Sequence, residues 1–155
     1  MSSFADQYAL PATLTVAGLH QIVRFTKKVG EARHKYKIEP PETTGPPEFI
    51  RVFRAHQNSL EFFPMSLTSL WIGSVFFHPV PASALYLGYL IGREKFFTGY
   101  VEHPDKRLTG FKISIRCLLG LLIICGVGVG HKLVRNYGNI DLFEIIHEKV
   151  SSLRQ

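Results

Sequence analysis

The residues best suited to do chemistry form a polar row within a strongly apolar part of the chain. Arg51, Arg54, Asn58 and Glu61 follow one another at spacings of three, four and three. In an α-helix, which turns about 100° per residue, these four side chains lie within an arc of about 80°. Arginines favour carboxylates and phosphates because the guanidinium group donates paired hydrogen bonds. The row therefore indicates a site for an anionic ligand.

A second polar row follows further along the chain. Tyr86, Tyr89, Arg93 and Tyr100 share one stripe of a helix, and Arg107 lies shortly beyond its end. A charged side chain that faces lipid at the middle of a bilayer costs about 3 kcal/mol, so both rows must face protein or water.

A structural network of ion pairs is the alternative to a ligand site. In that network Arg51 pairs with Glu48, and Arg54 pairs with Glu61 or Asn58. Cationic side chains near helix ends also extend towards lipid head groups.

The balance of charge favours the ligand. Four arginines (Arg51, Arg54, Arg93 and Arg107) share a single acidic residue, Glu61, in the apolar region. A closed network would tend towards neutrality, so a bound anion is the natural missing partner.

The elements that carry these rows are predicted from the distribution of charge. The chain has 155 residues and a formal net charge of +6, and its uncharged stretches cover residues 7–23, 62–92 and 117–131. A small soluble domain could hardly bury so much apolar sequence, whereas a spanning helix needs about 20 such residues. We therefore predict one all-α domain over residues 1–155, an integral membrane four-helix bundle. Its spans are predicted at residues 8–25, 49–77, 82–100 and 111–134, with a C-terminal tail at residues 135–155.

Local features refine this arrangement. Two prolines, Pro79 and Pro81, predict a tight hairpin between the second and third spans, because proline cannot continue a helix. Basic residues crowd the first and third connections, which the positive-inside rule places in the cytosol, although the C-terminal tail is also basic. Glycines 126, 128 and 130 predict close helix approach in the last span. The segment Asp141–Leu153 is weakly amphipathic, as in an interfacial helix or a loose tail.

Other classes of function find little support. The basic residues lie among spanning helices without a groove-reading motif, so a nucleic-acid partner is not expected. The seven histidines lack paired-ligand spacing, so no metal site is expected. Cys117 and Cys125 fall within the last apolar run, where small buried hydrophobes are expected rather than a bridge.

Longer motifs add a resemblance to a known family. Residues 44–64 read TGPPEFIRVFRAHQNSLEFFP and contain the pattern R-x-x-R-A-x-x-N-x-x-E. Three further segments agree: RHKYK at residues 33–37, GREKFFTGY at 92–100 and KRLTGF at 106–111. Together they resemble the MAPEG family, the membrane-associated proteins of eicosanoid and glutathione metabolism, in register from Gln21 to Ser114.

This resemblance implies a homotrimer of four-helix subunits in the membrane of the endoplasmic reticulum or the nuclear envelope. Glutathione would be the co-substrate, bound between subunits near the cytosolic side, and Arg107 would activate its thiol. The residues implied to bind glutathione are Arg54, Asn58, Glu61, Arg93 and Tyr100 from one subunit, with Arg33 and His56 from its neighbour. The implied partners are a lipophilic electrophile or lipid hydroperoxide and the lipid bilayer.

The implied activity is transfer of glutathione to lipophilic electrophiles. It could include conversion of leukotriene A4 to leukotriene C4, and the family resemblance also implies reduction of lipid hydroperoxides. Phe96 stands where close relatives have a tyrosine, and His34 and His56 also depart from the pattern. These departures weigh against leukotriene synthesis more than against conjugation. The alternative is a non-catalytic lipid-binding scaffold resembling five-lipoxygenase-activating protein. The retention of Arg54, Glu61 and Arg107 together favours the enzyme.

Overall fold

A computed structural model describes residues 3–138, apart from the side chain of Phe4, and these residues form a helical bundle. The four helices are α1 (Phe4–Tyr36), α2 (Pro47–Phe76), α3 (Pro79–Glu102) and α4 (Arg107–Gly138), and a 3₁₀ turn at Pro104–Lys106 precedes α4. The prediction of an all-α domain with four long helices is confirmed for this part of the chain. The predicted tail segment Asp141–Leu153 lies outside the described residues.

The helix starts follow from local sequence. Ser3 and Asp6 form a capping box at the start of α1, in which each side chain accepts a hydrogen bond from the backbone N–H of the other. Proline occupies the first position of both α2 and α3. A backbone N–H at this position would have no hydrogen-bond partner within the helix, so proline is tolerated there. Only Phe77 and His78 separate α2 from α3, which confirms the predicted hairpin.

The extent of α1 corrects the sequence-based boundary. The span was predicted to end at residue 25, but the helix continues to Tyr36 and includes most of the basic residues assigned to the first connection. The extension is held by its own apolar face, because Val29 and Ala32 are buried in a cluster with residues of α2. Charge marks where a helix leaves an apolar medium, and it does not mark where the helix ends.

Two apolar clusters hold the helices together. In the first, the rings of Phe25 and Phe97 stack with centroids 4.0 Å apart. The second contains Leu70, Tyr86 and Leu121, each fully buried. Together these clusters join α1, α2, α3 and α4 into one bundle.

Glycines allow α4 to approach its neighbours closely, although only one of the three glycines predicted to do so lies at such a contact. A Cβ atom built at Gly128 would lie 2.7 Å from the backbone of Phe76, whereas Gly126 and Gly130 have nothing within 4 Å. The prediction is therefore right for Gly128 and wrong for the other two, which lie on the open side of α4. The tightest approach is at Gly110, where a Cβ atom would lie 2.1 Å from the backbone nitrogen of Phe96.

The surface of the bundle is rich in apolar side chains. One described segment, Pro104–Gly138, is long and apolar enough to cross a membrane by length and composition alone. Exposed large apolar side chains line α1 and α4, including Leu10, Val16, Leu19, Val23, Leu119, Leu122, Ile123 and Val127. Both cysteines are free thiols; Cys125 is buried as expected, whereas Cys117 is only half-buried.

Candidate functional site

An open cavity of about 350 Å³ lies where α2, α3 and the start of α4 meet. It brings together five of the eight residues predicted for the site, namely Arg54, Asn58, Glu61, Tyr100 and Arg107. The other lining residues are Gln57, Phe96, Leu108 and Phe111. The cavity therefore combines charged, amide and aromatic groups in one place.

The wall formed by α2 follows from helical spacing. Arg54, Asn58 and Glu61 lie four and three residues apart and so share a face of the helix. Asn58 Nδ2 donates to Glu61 Oε2 at 3.4 Å, and Arg54 Nη1 donates to Gln57 Oε1 at 3.0 Å. Gln57 was not predicted from the sequence, although its position three residues after Arg54 placed it within reach.

Arg51, the first member of the predicted row, does not line this cavity. Its Nε donates to the backbone carbonyl of Val101 at 3.1 Å, and Nη2 lies 3.6 Å from Glu48 Oε1. Arg51 therefore links α2 to the end of α3. Its contact with Glu48 is the pairing that the structural alternative predicted. Arg54 has a different partner from the two suggested by that alternative, since it donates to Gln57.

Arg93 lies behind the cavity wall rather than on it. It is only 1% exposed, and its Nη1 donates to Asn58 Oδ1 at 2.9 Å while its Nε donates to Tyr89 Oη at 3.2 Å. The guanidinium carbon lies 4.4 Å from the ring centre of Phe62 and 5.1 Å from that of Phe96. Aromatic faces stabilise a buried cation at such distances.

Arg107 is placed by the corner between α3 and α4. It is the first residue of α4, and its guanidinium carbon lies 4.6 Å from the ring centre of Tyr100. The corner is tight on both sides, because a Cβ atom at Gly99 would lie 2.6 Å from the carbonyl oxygen of Lys106, and Gly110 packs on Phe96. The glycines thus bring Arg107 and Tyr100 to the mouth of the cavity.

Arg33 and His56 lie elsewhere on this chain. The Arg33 side chain lies over the rings of Phe49 and Phe53, and its Nη1 donates to the carbonyl oxygen of Glu42 at 2.7 Å. His56 Nε2 lies 3.0 Å from Thr26 Oγ1 on α1. Neither residue lines the cavity.

The connection that Arg33 contacts is held by one carboxylate. Hydrogen bonds from the side chain and backbone of Thr44, and from the backbone of Thr43, lower the pKa of the Glu42 carboxyl below its ordinary value of 4.5. The ionised form of Glu42 therefore stabilises this turn. Thr43 and Thr44 also line a second opening that shares Arg54 and Gln57 with the cavity.

Positive charge exceeds negative charge around the cavity. Arg54, Arg93 and Arg107 face one carboxylate, that of Glu61. Within residues 3–138, no ion pair shorter than 4 Å involves any of these three arginines. No group of His, Cys, Asp and Glu suited to a metal occurs in the same residues. Guanidinium groups of this kind bind carboxylates and phosphates, and the Glu61 carboxylate can pair with a cation.

Comparison with known proteins assigns the chain to a family. The sequence matches the MAPEG family over residues 10–127, which include every residue of the cavity. The chain belongs to the MAPEG family. It is 40% identical to microsomal glutathione S-transferase 2 of Bos taurus over 138 residues, which cover 89% of this chain and 94% of that protein. It is also 40% identical to leukotriene C4 synthase of Mus musculus over 124 residues, or 80% and 83% of the two chains. Both relatives thus match this MAPEG protein over at least four fifths of its length.

Proposed function

We propose that this MAPEG protein is a membrane-bound glutathione transferase that joins the sulfur of glutathione to lipophilic electrophiles. The observation that carries the proposal is the cavity itself, in which Arg54, Arg107 and Glu61 converge with an excess of positive charge. Two similar proteins, from Bos taurus and Mus musculus, are named microsomal glutathione S-transferase 2, and they support the same activity.

The chemistry of glutathione matches the residue types. The tripeptide has two carboxylates and one ammonium group, which suit the arginines and Glu61 respectively. Arg54 takes a carboxylate, Glu61 takes the ammonium group, and Asn58 and Tyr100 serve the amides. Arg93 supports this wall through Asn58. Two residues that do not line the cavity on this chain, Arg33 and His56, complete the site from a neighbouring subunit.

Arg107 supplies the catalytic step. A free thiol with a pKa near 8.5 is only slightly ionised at neutral pH, and an adjacent guanidinium stabilises the thiolate. The Arg107 side chain is half-buried at the cavity mouth, so its charge is less screened than on an open surface. The thiol gives up its proton to water, and the thiolate attacks the electrophilic carbon to form a C–S bond. The carbon's bond to oxygen or another leaving group breaks with its electron pair, and a released oxygen takes up a proton from water.

We further propose that all four helices cross the membrane of the endoplasmic reticulum or nuclear envelope and that three subunits assemble. The exposed apolar side chains of α1 and α4 support burial in lipid or against other subunits. The charged residues of α2 and α3 near the cavity lower the hydropathy of those helices; Arg93 is buried, whereas Arg54 and Glu61 are exposed on this chain and line the open cavity. The separation of Arg33 and His56 from the cavity of their own subunit supports a shared site.

The substrate range is proposed from the surroundings of the cavity. Phe96, Leu108 and Phe111 form an apolar part of the wall, which suits an electrophile or hydroperoxide that arrives from lipid. Leukotriene synthesis is the second candidate, favoured by the similarity to leukotriene C4 synthase. Phe96 lacks the hydroxyl that the family pattern places there, and a lost hydrogen bond weakens binding by about 1 kcal/mol. Conjugation is therefore the primary proposal.

Turnover of a chlorodinitrobenzene probe with glutathione tests the proposal. The purified full-length protein in detergent is assayed beside Arg107→Ala, with Lys106→Ala as the matched control. Lys106 is the adjacent cation, but it is exposed, pairs with Glu102 and does not line the cavity. We expect conjugation by the wild type and Lys106→Ala, and a loss of about 100-fold or more in Arg107→Ala. Failure to bind glutathione at all would instead support the lipid-presenting scaffold.

A further inference from the structure

Behind the cavity, a chain of hydrogen bonds runs from a buried tyrosine to the carboxylate on the wall. Tyr89 Oη accepts from Arg93 Nε at 3.2 Å, Arg93 Nη1 donates to Asn58 Oδ1 at 2.9 Å, and Asn58 Nδ2 donates to Glu61 Oε2 at 3.4 Å. Tyr89 is 2% exposed and Arg93 is 1% exposed. Only the last two members, Asn58 and Glu61, line the cavity.

The two bonds of Arg93 fix the plane of its guanidinium group. One bond holds Nε and the other holds Nη1, and the rings of Phe62 and Phe96 limit rotation. The remaining amino group, Nη2, is buried and has no hydrogen-bond partner among residues 3–138. The orientation of this cation therefore depends on two neutral partners, of which Tyr89 is the one away from the ligand.

The orientation of Arg93 in turn decides which end of the Asn58 amide faces Glu61. An asparagine amide has an acceptor oxygen on one side and a donor NH₂ group on the other. Because Arg93 offers only donors, Asn58 must turn its oxygen towards Arg93, and its NH₂ group is left for Glu61. A rotated amide would place two donors against each other and leave the Glu61 carboxylate without this contact.

We infer that Tyr89 is a positioning residue for glutathione binding, acting through Arg93 and Asn58 on the carboxylate of Glu61. The inference rests on the proposed function and extends it to a residue that never touches the ligand. Loss of the Tyr89 hydroxyl removes one of the two bonds that hold the guanidinium, so the bond from Arg93 to Asn58 loosens and Asn58 is held less firmly against Glu61. The binding of glutathione weakens, while the thiol chemistry at Arg107 is unchanged.

Tyr89→Phe and Tyr86→Phe form a matched pair for the test. Both tyrosines are buried on α3, with rings stacked 5.8 Å apart. The Tyr86 hydroxyl lies against Gly18 of α1 and makes no hydrogen bond to Arg93. In the full-length protein, Tyr89→Phe should raise KM for glutathione about fivefold, equivalent to about 1 kcal/mol, and leave kcat unchanged. Tyr86→Phe should leave both constants unchanged.

The same comparison in an Asn58→Ala background tests whether Tyr89 acts on glutathione binding through Asn58. Because Tyr89 acts through Asn58, Tyr89→Phe should change KM less than about twofold once Asn58 is gone. Arg93→Lys keeps the charge but cannot hold both partners. Like Tyr89→Phe, it should raise KM for glutathione when Asn58 is present and change KM less than about twofold when Asn58 is replaced by alanine. An equal loss with and without Asn58, an equal effect of Tyr86→Phe, or a fall in kcat alone would each refute the inference. A wild-type protein that fails to bind glutathione would refute the proposed function and this role with it.

Discussion

Substitution of Gly110 by alanine should disable the site, although Gly110 itself does not line the cavity. Gly110 lies in the first turn of α4, and a Cβ atom there would lie 2.1 Å from the backbone nitrogen of Phe96 and 2.6 Å from the carbonyl carbon of Lys95. Ordinary van der Waals contact begins at 3.4 Å. Both obstructing atoms belong to the backbone of α3, so neither can rotate away, and the two helices must separate by about 1 Å.

The magnitude follows from this displacement. Overpacking of a close helix contact costs about 1–3 kcal/mol, whereas alanine in an open helical position gains up to about 1 kcal/mol over glycine. Separation of the helices also moves Arg107 and Tyr100, which lie on opposite sides of the corner. A misplacement of about 1 Å can reduce turnover by about 100-fold. We therefore expect Gly110→Ala to unfold at a lower temperature and to lose most of its conjugating activity.

Gly126→Ala is the matched control for this prediction. Gly126 lies on the same helix, and nothing lies within 4 Å of a Cβ atom built there. Thermal unfolding in detergent and turnover of the electrophilic probe are measured for both variants. Gly126→Ala should match or exceed the stability of the wild type and retain its activity. If the two variants behave alike, the close approach of α3 and α4 does not position Arg107.

Three further predictions concern the ligand, the assembly and the connection between α1 and α2 that contains Glu42. Glu61→Gln should raise KM for glutathione about tenfold and have little effect on a glutathione analogue that lacks the amino group; Glu94→Gln, a carboxylate outside the cavity, should have no effect in the same assay. Co-expression of Arg33→Ala with Arg107→Ala should restore up to about one quarter of wild-type turnover if each site is shared between neighbouring subunits; mixtures that stay inactive would contradict the shared site. The lowered pKa of Glu42 gives stability that is present above pH 4.5 and lost as the pH falls through the folded-state value. Thermal unfolding of Glu42→Gln should therefore depend less on pH below 4.5 than that of the wild type, and identical profiles would count against this role.

Much of the architecture could be predicted because the signals are local. Uncharged runs and the prolines at positions 79 and 81 predict long helices and a hairpin, and the structure has four long helices with a two-residue turn between α2 and α3. The length of α1 could not be predicted in this way. Its last turns are basic, and they remain helical because Val29 and Ala32 pack against other helices. That packing depends on residues distant in the sequence.

The site could be predicted only in part for the same reason. Helical spacing groups Arg54, Asn58 and Glu61 correctly. It also includes Arg51, although this side chain turns towards the backbone of Val101, a contact that no periodicity reveals. Gln57 was missed because an uncharged amide beside an arginine is unremarkable in sequence.

Glycine spacing likewise could not distinguish Gly128, which packs on Phe76, from Gly126 and Gly130 on the open side of α4.

The most direct test of the account is the ultraviolet absorbance of thiolate after rapid mixing of the detergent-purified protein with glutathione. The wild type should show a thiolate signal at neutral pH, because Arg107 stabilises the ionised sulfur. Arg107→Ala should bind glutathione without that signal, and Arg107→Lys should retain part of it. A signal of equal size in Arg107→Ala would contradict the central claim that this arginine activates the thiol.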